Sequence, residues 1–398
     1  MVVTAFSRPN QLDAFAVTAP GLEPLCCAEL TAMGIAAAPQ DGGVAWSGDI
    51  RSIALANLWS RTASRVIVRI GEFRARTFFE VERNARRLPW DNYIAVGGGV
   101  AFRVTSRKSK LYHSDAIAER LSDAALQRVS GAHRASPSSD DDETPLQELP
   151  AQLFIVRVLH DVVTVSADSS GALLHLRGYR QQLARAPLRE TLAAALLSAA
   201  GWSADEPLFD PMCGSGTIPI EAARLARRMA PGRDRLFAFL RWPGFDARLW
   251  TSMVDDARSQ ELPRSPVAIA GADRDAGAIV AARANAERAG VARDIEFLEQ
   301  PISAMSADAG AGLIATNPPY GVRIGEADRL RNLYAQLGNL LRTRRPGWRL
   351  VMLSADHALE RQVKLPLEER LRTKNGGIPV RVVTASGQSS STAHSPSL

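Results

Sequence analysis

The spacing of hydrophobic residues divides the chain into an irregular first part and a regular second part. Short apolar runs alternate with helical patterns over residues 12–70, and residues 153–159 and 162–166 form two strand patterns around a tight turn, typical of a β-hairpin. Residues 188–200 are rich in Ala and Leu and predict an amphipathic helix. The chain ahead of this helix is therefore predicted to be α+β.

After residue 200, strand and helix patterns alternate. The four strands predicted before the final hairpin lie at 208–209, 267–270, 313–316 and 349–354. The hairpin itself is indicated by the turn sequence Asn-Gly-Gly at 375–377. This order predicts a doubly wound, mostly parallel sheet with a reversed edge. Residues 226–266 interrupt the alternation and are interpreted as an insertion that lengthens the first strand-helix unit.

The composition is that of an ordinary globular protein with two or three domains, because 46% of the 398 residues are hydrophobic and 23% are charged. No stretch approaches the roughly 20 uninterrupted apolar residues that span a bilayer, and the first 15 residues lack a signal pattern. Three cysteines, of which Cys26 and Cys27 are adjacent, form neither a disulfide framework nor a zinc-spaced pair. These features predict a cytoplasmic protein without a metal.

Positive charge is concentrated in one part of the chain. The net charge is +6, whereas residues 51–120 alone contain 14 Arg and Lys against 6 Asp and Glu. Such a concentration is compatible with a polyanionic partner. The alternative is a solvated, arginine-rich surface without a specific partner.

A glycine turn follows the strand pattern at 208–209. Asp210 ends the strand, Gly214 and Gly216 form the turn, and a helix is predicted from about Thr217. Glycines allow a close approach of the backbone to a ligand, and the helix start offers unpaired amides. Pro219 occupies the third glycine position of a dinucleotide loop, and no P-loop Gly-Lys-Ser/Thr is present. The segment therefore predicts another nucleotide-type cofactor site, with an ordinary strand-turn-helix as the alternative.

Two further polar sites end later strands of the predicted sheet. Asp273 is placed to bind a ribose diol, although an acid here is often a helix cap, and Asp275 is a second candidate for the same role. The tetrapeptide 317–320, Asn-Pro-Pro-Tyr, can direct an amide oxygen and a carbonyl at one exocyclic amine beside an aromatic ring. An ordinary proline turn is the alternative. Ligands bind at this edge of open α/β sheets, so the three features are predicted to form one site.

Several segments carry a resemblance to known families. The pair DPMCGSGTIPIEAA and TNPPYGVRIG resembles the class I S-adenosylmethionine-dependent methyltransferases that act on exocyclic amines. Bacterial THUMP-domain RNA methyltransferases are similar in LHLRGYR, in APLRETLAAALL and in AFRVTSRKSKLYHSDAIAERL. Partly through MAPGRDRLFAFLRWPGFDARLW, the chain is most similar to the bacterial large-subunit ribosomal RNA guanine-N2 methyltransferases, over roughly residues 12–383.

The resemblance implies a domain order. It comprises an N-terminal α+β subdomain at 1–70, a THUMP-like RNA-binding domain at 71–168, a connecting segment and helix at 169–200 and a methyltransferase domain at 201–385. Composition separately predicts a mobile loop at about 131–150, which has Pro, Ser and acidic residues and almost nothing to bury, and a disordered tail at 386–398. The catalytic domain would be a Rossmann-like class I fold with a mostly parallel seven-stranded sheet. The role of the acidic residues 140–143 inside a basic domain is not explained by the resemblance.

The resemblance also implies residue roles. S-adenosylmethionine would contact Asp210, Met212, Gly214, Gly216 and Thr217 at its methionine and sulfur end, and Asp273 at its ribose. The acceptor amine would be held by Asn317 and Pro318, and its base by Tyr320. The implied phosphate contacts are Arg103, Arg107, Lys108 and Lys110, for which an unspecific solvated surface is the alternative. The family's usual acid near the adenine is missing, since only Glu299 or Gln300 is available.

The implied reaction is methylation of the exocyclic N2 amine of a guanosine in 23S ribosomal RNA. The alternatives are a guanine-N2 methyltransferase for transfer RNA, an adenine-N6 methyltransferase, and a non-enzymatic RNA-binding factor with an inactive pocket. Each of the three enzymes would use S-adenosylmethionine and bind nucleic acid, whereas neither a metal nor a membrane is implied.

Overall fold

The computed structural model describes residues 11–137, 151–180, 188–308, 310–320 and 327–386. The chain divides into two compact units. Unit 1 comprises Met1–Ala19, Cys26–Arg177 and Pro231–Ser259, and unit 2 comprises Pro20–Leu25, Gly178–Ala230 and Gln260–Leu398. Most of the predicted mobile loop, including residues 140–143, and nearly all of the predicted tail lie outside the described residues.

Unit 1 is built on one eight-stranded sheet. Its strands are β1 Leu12–Val17, β2 Ala37–Gln40, β3 Gly43–Gly48, β4 Arg65–Arg74, β5 Gly99–Arg107, β6 His133–Arg134, β7 Gln152–Leu159 and β8 Val162–Asp168, in the order β2-β3-β1-β4-β8-β7-β5-β6. Strand β4 pairs with β1 on one side and β8 on the other. The predicted boundary at residue 70 therefore falls within a strand that joins both halves of one sheet.

Two local details of this sheet test the predicted loops. The hairpin predicted around 160–161 is confirmed by antiparallel pairing of β7 with β8, and His160 and Asp161 form its turn with φ of 51° and 61°. Residues 131–137, predicted as part of a mobile loop, include strand β6, which pairs in parallel with β5. That section of the prediction is wrong, because backbone pairing needs no apolar side chains.

Unit 2 is built on a seven-stranded sheet. Its strands are β9 Leu208–Asp210, β10 Ile269–Asp273, β11 Ile295–Glu299, β12 Gly312–Thr316, β13 Trp348–Ser354, β14 Glu368–Asn375 and β15 Ile378–Ser386, in the order β11-β10-β9-β12-β13-β15-β14. Neighbours are parallel except at β15, which is antiparallel to β13 and β14. The predicted mostly parallel sheet with a reversed edge hairpin is confirmed.

Ten α-helices lie within the described residues. They are α1 Glu23–Ala32, α2 Ile50–Trp59, α3 Phe78–Ala85, α4 Ser114–Arg128, α5 Glu190–Ala199, α6 Thr217–Ala226, α7 Ala247–Ser259, α8 Ala276–Arg288, α9 Ala327–Asn339 and α10 His357–Val363. None of the helices in this part of the chain is long and apolar enough to cross a membrane. In unit 2, buried residues such as Phe209, Tyr334 and Met352 form one apolar core with the sheet.

The segment 231–259 belongs to unit 1 rather than to the strand-helix unit that it interrupts. Its aromatic residues Phe237, Phe239 and Trp250 pack together with ring centroids 5.2–5.5 Å apart. The Trp242 indole donates to the side-chain carbonyl of Gln152, 2.8 Å away. The interpretation of this segment as a lengthening of the first strand-helix unit is wrong, and the predicted domain at 201–385 is interrupted, because these side chains are buried against unit 1.

Candidate active site

Three strands of unit 2 end side by side at one edge of the sheet. Strand β9 ends at Asp210 and pairs in parallel with β10, which ends at Asp273, and with β12, which ends at Thr316 immediately before Asn317. The carboxyl ends of parallel neighbours meet at the same edge. The structure thus brings together the three features that were predicted to meet there.

The glycine loop is fastened to its own strand and to β10. The Met212 amide donates to Asp210 Oδ1 at 3.1 Å, and the Gly214 amide donates to Asp273 Oδ2 at 3.0 Å. The Cys213 amide donates to the carbonyl of Ala272 at 2.9 Å. These bonds hold the loop against the end of β10 and fix the direction of helix α6, whose first residue is Thr217.

Helix α8 supplies a support that the sequence did not reveal. Asn285 lies on the buried face of α8, and its side-chain amide donates to the carbonyl of Ser215 in the glycine loop, 3.0 Å away. A polar side chain on a buried helix face is the signal that could have identified it. Asn285 therefore ties the glycine loop to helix α8.

The two loop glycines have different steric reasons to be glycine. Both have positive φ, 52° at Gly214 and 87° at Gly216. A Cβ at Gly214 would meet open space, whereas a Cβ at Gly216 would lie 3.0 Å from the Ala282 Cβ and 3.2 Å from the Phe297 ring. Gly216 thus also permits close packing of the loop on α8 and β11.

Substitution of Gly216 by Ala is expected to destabilise the protein more than the same change at Gly214. Left-handed backbone strain costs about 1–2 kcal/mol at either site, and overpacking adds roughly another 1–3 kcal/mol at Gly216. Urea unfolding of the two variants gives the free-energy difference. Equal losses would contradict the steric role of Gly216.

Asp210 is a buried carboxylate that accepts hydrogen bonds but forms no salt bridge with a cationic side chain of the described residues. Its side chain is 1% exposed and accepts from the Met212 amide and from Thr316 Oγ1 at 2.7 Å. Burial, opposed by these two hydrogen bonds and assisted by the nearby Asp273 carboxylate, raises the pKa of Asp210 to about 7. None of the salt bridges of the described residues includes Asp210. A positively charged ligand group would therefore be favoured here.

The sequence left open which of Asp273 and Asp275 caps helix α8, and the structure assigns the cap to Asp275. Asp275 is the N-cap of α8, and its carboxylate accepts from the amides of Gly277 and Ala278. The Asp273 carboxylate accepts from the Gly214 and Asp275 amides instead. Asp273 is therefore not the cap of this helix. Glu299, exposed at the end of β11, is its register partner on the next strand.

The tetrapeptide carries a buried oxygen without a partner. Asn317 Oδ1 is buried and has no hydrogen-bond partner among the described residues. Pro318 is buried, and the Tyr320 hydroxyl accepts from the Asn375 side-chain amide at 2.5 Å. Because an unmade hydrogen bond on a buried carbonyl is unfavourable, this oxygen is a site for an N–H donor from a ligand.

Thr316 joins the tetrapeptide to the glycine loop. Its hydroxyl donates to Asp210, and it is the residue directly before Asn317. It was not among the predicted residues, although its position at the strand end could have identified it. The predicted donor and acceptor parts are thus connected through two neighbouring strands.

The four predicted phosphate contacts lie together in unit 1. Arg103 and Arg107 belong to β5, and Lys108 and Lys110 follow directly in the loop before α4. Arg107, Lys108 and Lys110 are exposed. The Lys110 amide donates to Asp161 Oδ1 at 2.8 Å, which anchors the loop to the turn between β7 and β8. The structure places these four residues on a strand and loop of the same unit.

The chemistry of this edge fits a methyl-donor cofactor and an amine. The buried Asp210 carboxylate suits a cationic donor, the glycine loop leaves backbone amides at the start of α6, and the Asn317 oxygen suits an amine N–H. Asp273 suits the hydroxyl groups of a ribose.

Comparison with known proteins places this arrangement in a family. The family described as "RMKL-like, methyltransferase domain" matches residues 177–383, and the one described as "RlmL ferredoxin-like domain" matches residues 13–67. The Synechocystis sp. protein slr0064, named as an RNA methyltransferase, is 34% identical over 378 residues, which cover 94% of this chain and 96% of the relative.

Two further similarities extend over most of the chain. "Ribosomal RNA large subunit methyltransferase K/L" of Syntrophotalea carbinolica is 37% identical over 383 residues, covering 93% of this chain and 53% of that protein. The chain thus spans about half the length of this relative. The crystal structure of SMU.472 with bound SAH has a TM-score of 0.85 and 29% identity, and the alignment covers 96% of this chain and 100% of that one.

The seven-stranded sheet of unit 2 is the Rossmann-like sheet of class I methyltransferases, with the glycine loop after strand β9, which lies between β10 and β12. The family match spans just over half of the chain, and the slr0064 alignment spans nearly all of it. The chain belongs to the RMKL-like methyltransferases.

Proposed function

We propose that this enzyme transfers a methyl group from S-adenosylmethionine to the exocyclic N2 amine of a guanosine in large-subunit ribosomal RNA. The Asn317 oxygen, which has no hydrogen-bond partner among the described residues and lies at the strand end next to the glycine loop, carries the proposal. The name of the Syntrophotalea relative supports the choice of RNA. That relative is about twice as long, so its substrate is part of the proposal.

The donor half of the site would hold the cofactor through unit 2. S-adenosylmethionine supplies an activated methyl group on a positively charged sulfur. Asp210 and the loop residues Met212 to Thr217 are suited to its methionine end, since the amino group and the sulfonium are both cationic. Asp273 would accept hydrogen bonds from the ribose hydroxyls.

The acceptor half would activate a weak nucleophile by position. The lone pair of an exocyclic amine is conjugated with the ring, so the nitrogen attacks poorly. Asn317 Oδ1 and the Pro318 carbonyl can each accept one N–H, which draws the nitrogen toward tetrahedral geometry and frees its lone pair. Such positioning can supply on the order of 7–11 kcal/mol at best.

Tyr320 would hold the base that carries this amine. Stacking of a flipped base on an aromatic ring contributes roughly 1–3 kcal/mol per base. The ring follows two consecutive prolines, which restrict the backbone on its N-terminal side. Its role is to place the amine against Asn317.

Unit 1 would supply affinity for RNA through the basic loop, defined here as Arg107, Lys108 and Lys110. The three side chains are exposed, and the loop backbone is anchored through Asp161. Contacts to phosphates are independent of sequence, and we propose a THUMP-like role for this unit on that basis. Arg103 would extend the same surface along β5.

Replacement of all three basic-loop residues by Gln is expected to weaken RNA binding and to reduce its salt dependence. Each lost phosphate contact lowers the slope of log K against log salt by roughly 0.7–0.9, so three contacts remove about 2–3. Filter binding at several salt concentrations measures the slope. The variant Arg51→Gln, an exposed arginine of α2, is the control. An unchanged slope in the triple variant would assign the loop to an ordinary solvated surface.

Methyl transfer to defined nucleic acids tests the proposed reaction. Large-subunit ribosomal RNA from cells lacking the gene, transfer RNA from the same cells and duplex DNA are incubated with the enzyme and methyl-labelled S-adenosylmethionine. Mass analysis of the digested nucleosides is expected to give N2-methylguanosine from the ribosomal RNA. N2-methylguanosine only in transfer RNA, or N6-methyladenine in any substrate, would overturn the acceptor. Cofactor binding without transfer to any of the three would favour a binding factor.

A further inference from the structure

Tyr320 is held at both ends of its side chain. Its backbone follows Pro318 and Pro319, and its hydroxyl accepts a hydrogen bond of 2.5 Å from Asn375 Nδ2. The two residues are 55 positions apart in the chain. The distal end of the tyrosine is therefore fixed by a part of the fold that contains none of the residues assigned above.

The position of Asn375 is set by the pairing of strands β14 and β15. Asn375 is the last residue of β14 and is the register partner of Ile378, the first residue of β15. Between them Gly376 and Gly377 turn the chain with φ of 55° and 85°. This two-residue turn, with both φ values positive, matches the twist of the strands. The hairpin β14–β15 therefore presents the Asn375 amide from a fixed frame.

A ring that stacks on a base works best when it is already oriented. A tyrosine side chain turns about two bonds, and fixing it only on binding would reduce the net gain from stacking. A hydrogen bond to the hydroxyl, at the far end of the ring, restricts the rotation about the Cα–Cβ bond and so fixes where the ring lies. The hydroxyl oxygen lies on the axis of the second rotation. The Tyr320 hydroxyl would otherwise be a half-buried group that needs a partner.

We propose that Asn375 is a positioning residue for the target base: it holds the Tyr320 ring in the place where the base stacks. This inference rests on the proposed function of the same site. It assigns to the edge hairpin a part in acceptor alignment, in addition to closing the sheet. Asn375 acts through the tyrosine and is not required to touch the substrate.

A double-mutant cycle on methyl transfer tests the inference with Asn375→Ala, Tyr320→Phe and the double variant. Loss of one neutral hydrogen bond is expected to lower kcat by roughly 3- to 10-fold in Asn375→Ala. Affinities for S-adenosylmethionine and RNA should stay within about twofold, because phosphate contacts dominate RNA affinity. Since Tyr320→Phe removes the same bond, the double variant should be no slower than the slower single variant.

The control variants separate this role from a purely structural one. Ile378→Ala changes the register partner of Asn375 and leaves the hydrogen bond, so its kcat should match that of the wild type. A kcat for Asn375→Ala within twofold of the wild type, or effects that multiply in the double variant, would overturn the inference alone. A wild-type protein that methylates no RNA would instead overturn the proposed function, and this inference with it.

Discussion

Asn317→Ala is expected to lower the rate of methyl transfer by at least about 10²- to 10³-fold, the loss seen when one preoriented hydrogen-bonding group is removed from an active site. The variant lacks the buried oxygen that would accept a hydrogen bond from the amine N–H, and so the nitrogen keeps its planar, conjugated geometry. Cofactor affinity should change no more than a few-fold, because the proposed cofactor contacts lie on β9, on β10, in the loop after β9 and at the start of α6. Single-turnover kinetics with saturating RNA and separate binding titrations measure the two effects.

The matched control is Asn339→Ala. Asn339 is exposed at the end of α9 in the same unit, and its replacement should leave turnover unchanged. If Asn317→Ala retained near-normal turnover, the proposed amine geometry would be wrong. If it instead lost cofactor affinity to the same extent as activity, Asn317 would belong to the donor half of the site.

The meeting of the site residues at one edge could be predicted from the sequence, because it requires only that the strands before them are parallel. Asp210, Asp273 and Asn317 each follow a short buried strand, and parallel strands bring such positions to one edge. The hairpin after residue 368 was equally accessible, because Asn-Gly-Gly permits only a few turn geometries. Features of this kind are set by residues adjacent in the sequence, so they can be predicted without knowing the rest of the fold.

Partners that are far apart in the sequence could not be predicted in the same way. The Asn285 amide meets the glycine loop 70 residues away, and Asn375 meets Tyr320 across 55 residues. Each pairing depends on the register of helices and strands that no local pattern specifies. Residues 231–259 belong to unit 1, and the sequence does not say against which unit an apolar side chain packs.

Cofactor affinity is expected to fall by about tenfold between pH 8 and pH 6. The pKa of Asp210 is raised to about 7 by burial, so the carboxylate is mostly ionised at pH 8 and mostly protonated at pH 6. A cationic ligand binds the ionised form, and binding therefore weakens as protons compete for this group. Titration calorimetry with S-adenosylmethionine at several pH values measures the profile.

Asp210→Asn tests whether this carboxylate is the titrating group. The variant should bind weakly at every pH, without the tenfold change, whereas Asp275→Asn should keep the wild-type profile because Asp275 caps α8.

In the absence of cofactor, the ionised Asp210 carboxylate is unfavourable to the folded state, so its effect on folding stability has the opposite pH dependence. A pKa raised from 3.8 to about 7 favours the folded state below about pH 4, and this contribution is lost as pH rises through 7. Asp210→Asn should therefore unfold at higher urea than the wild type at pH 8. A lower midpoint would show that Asp210 stabilises the fold in its charged form and that its pKa is not raised.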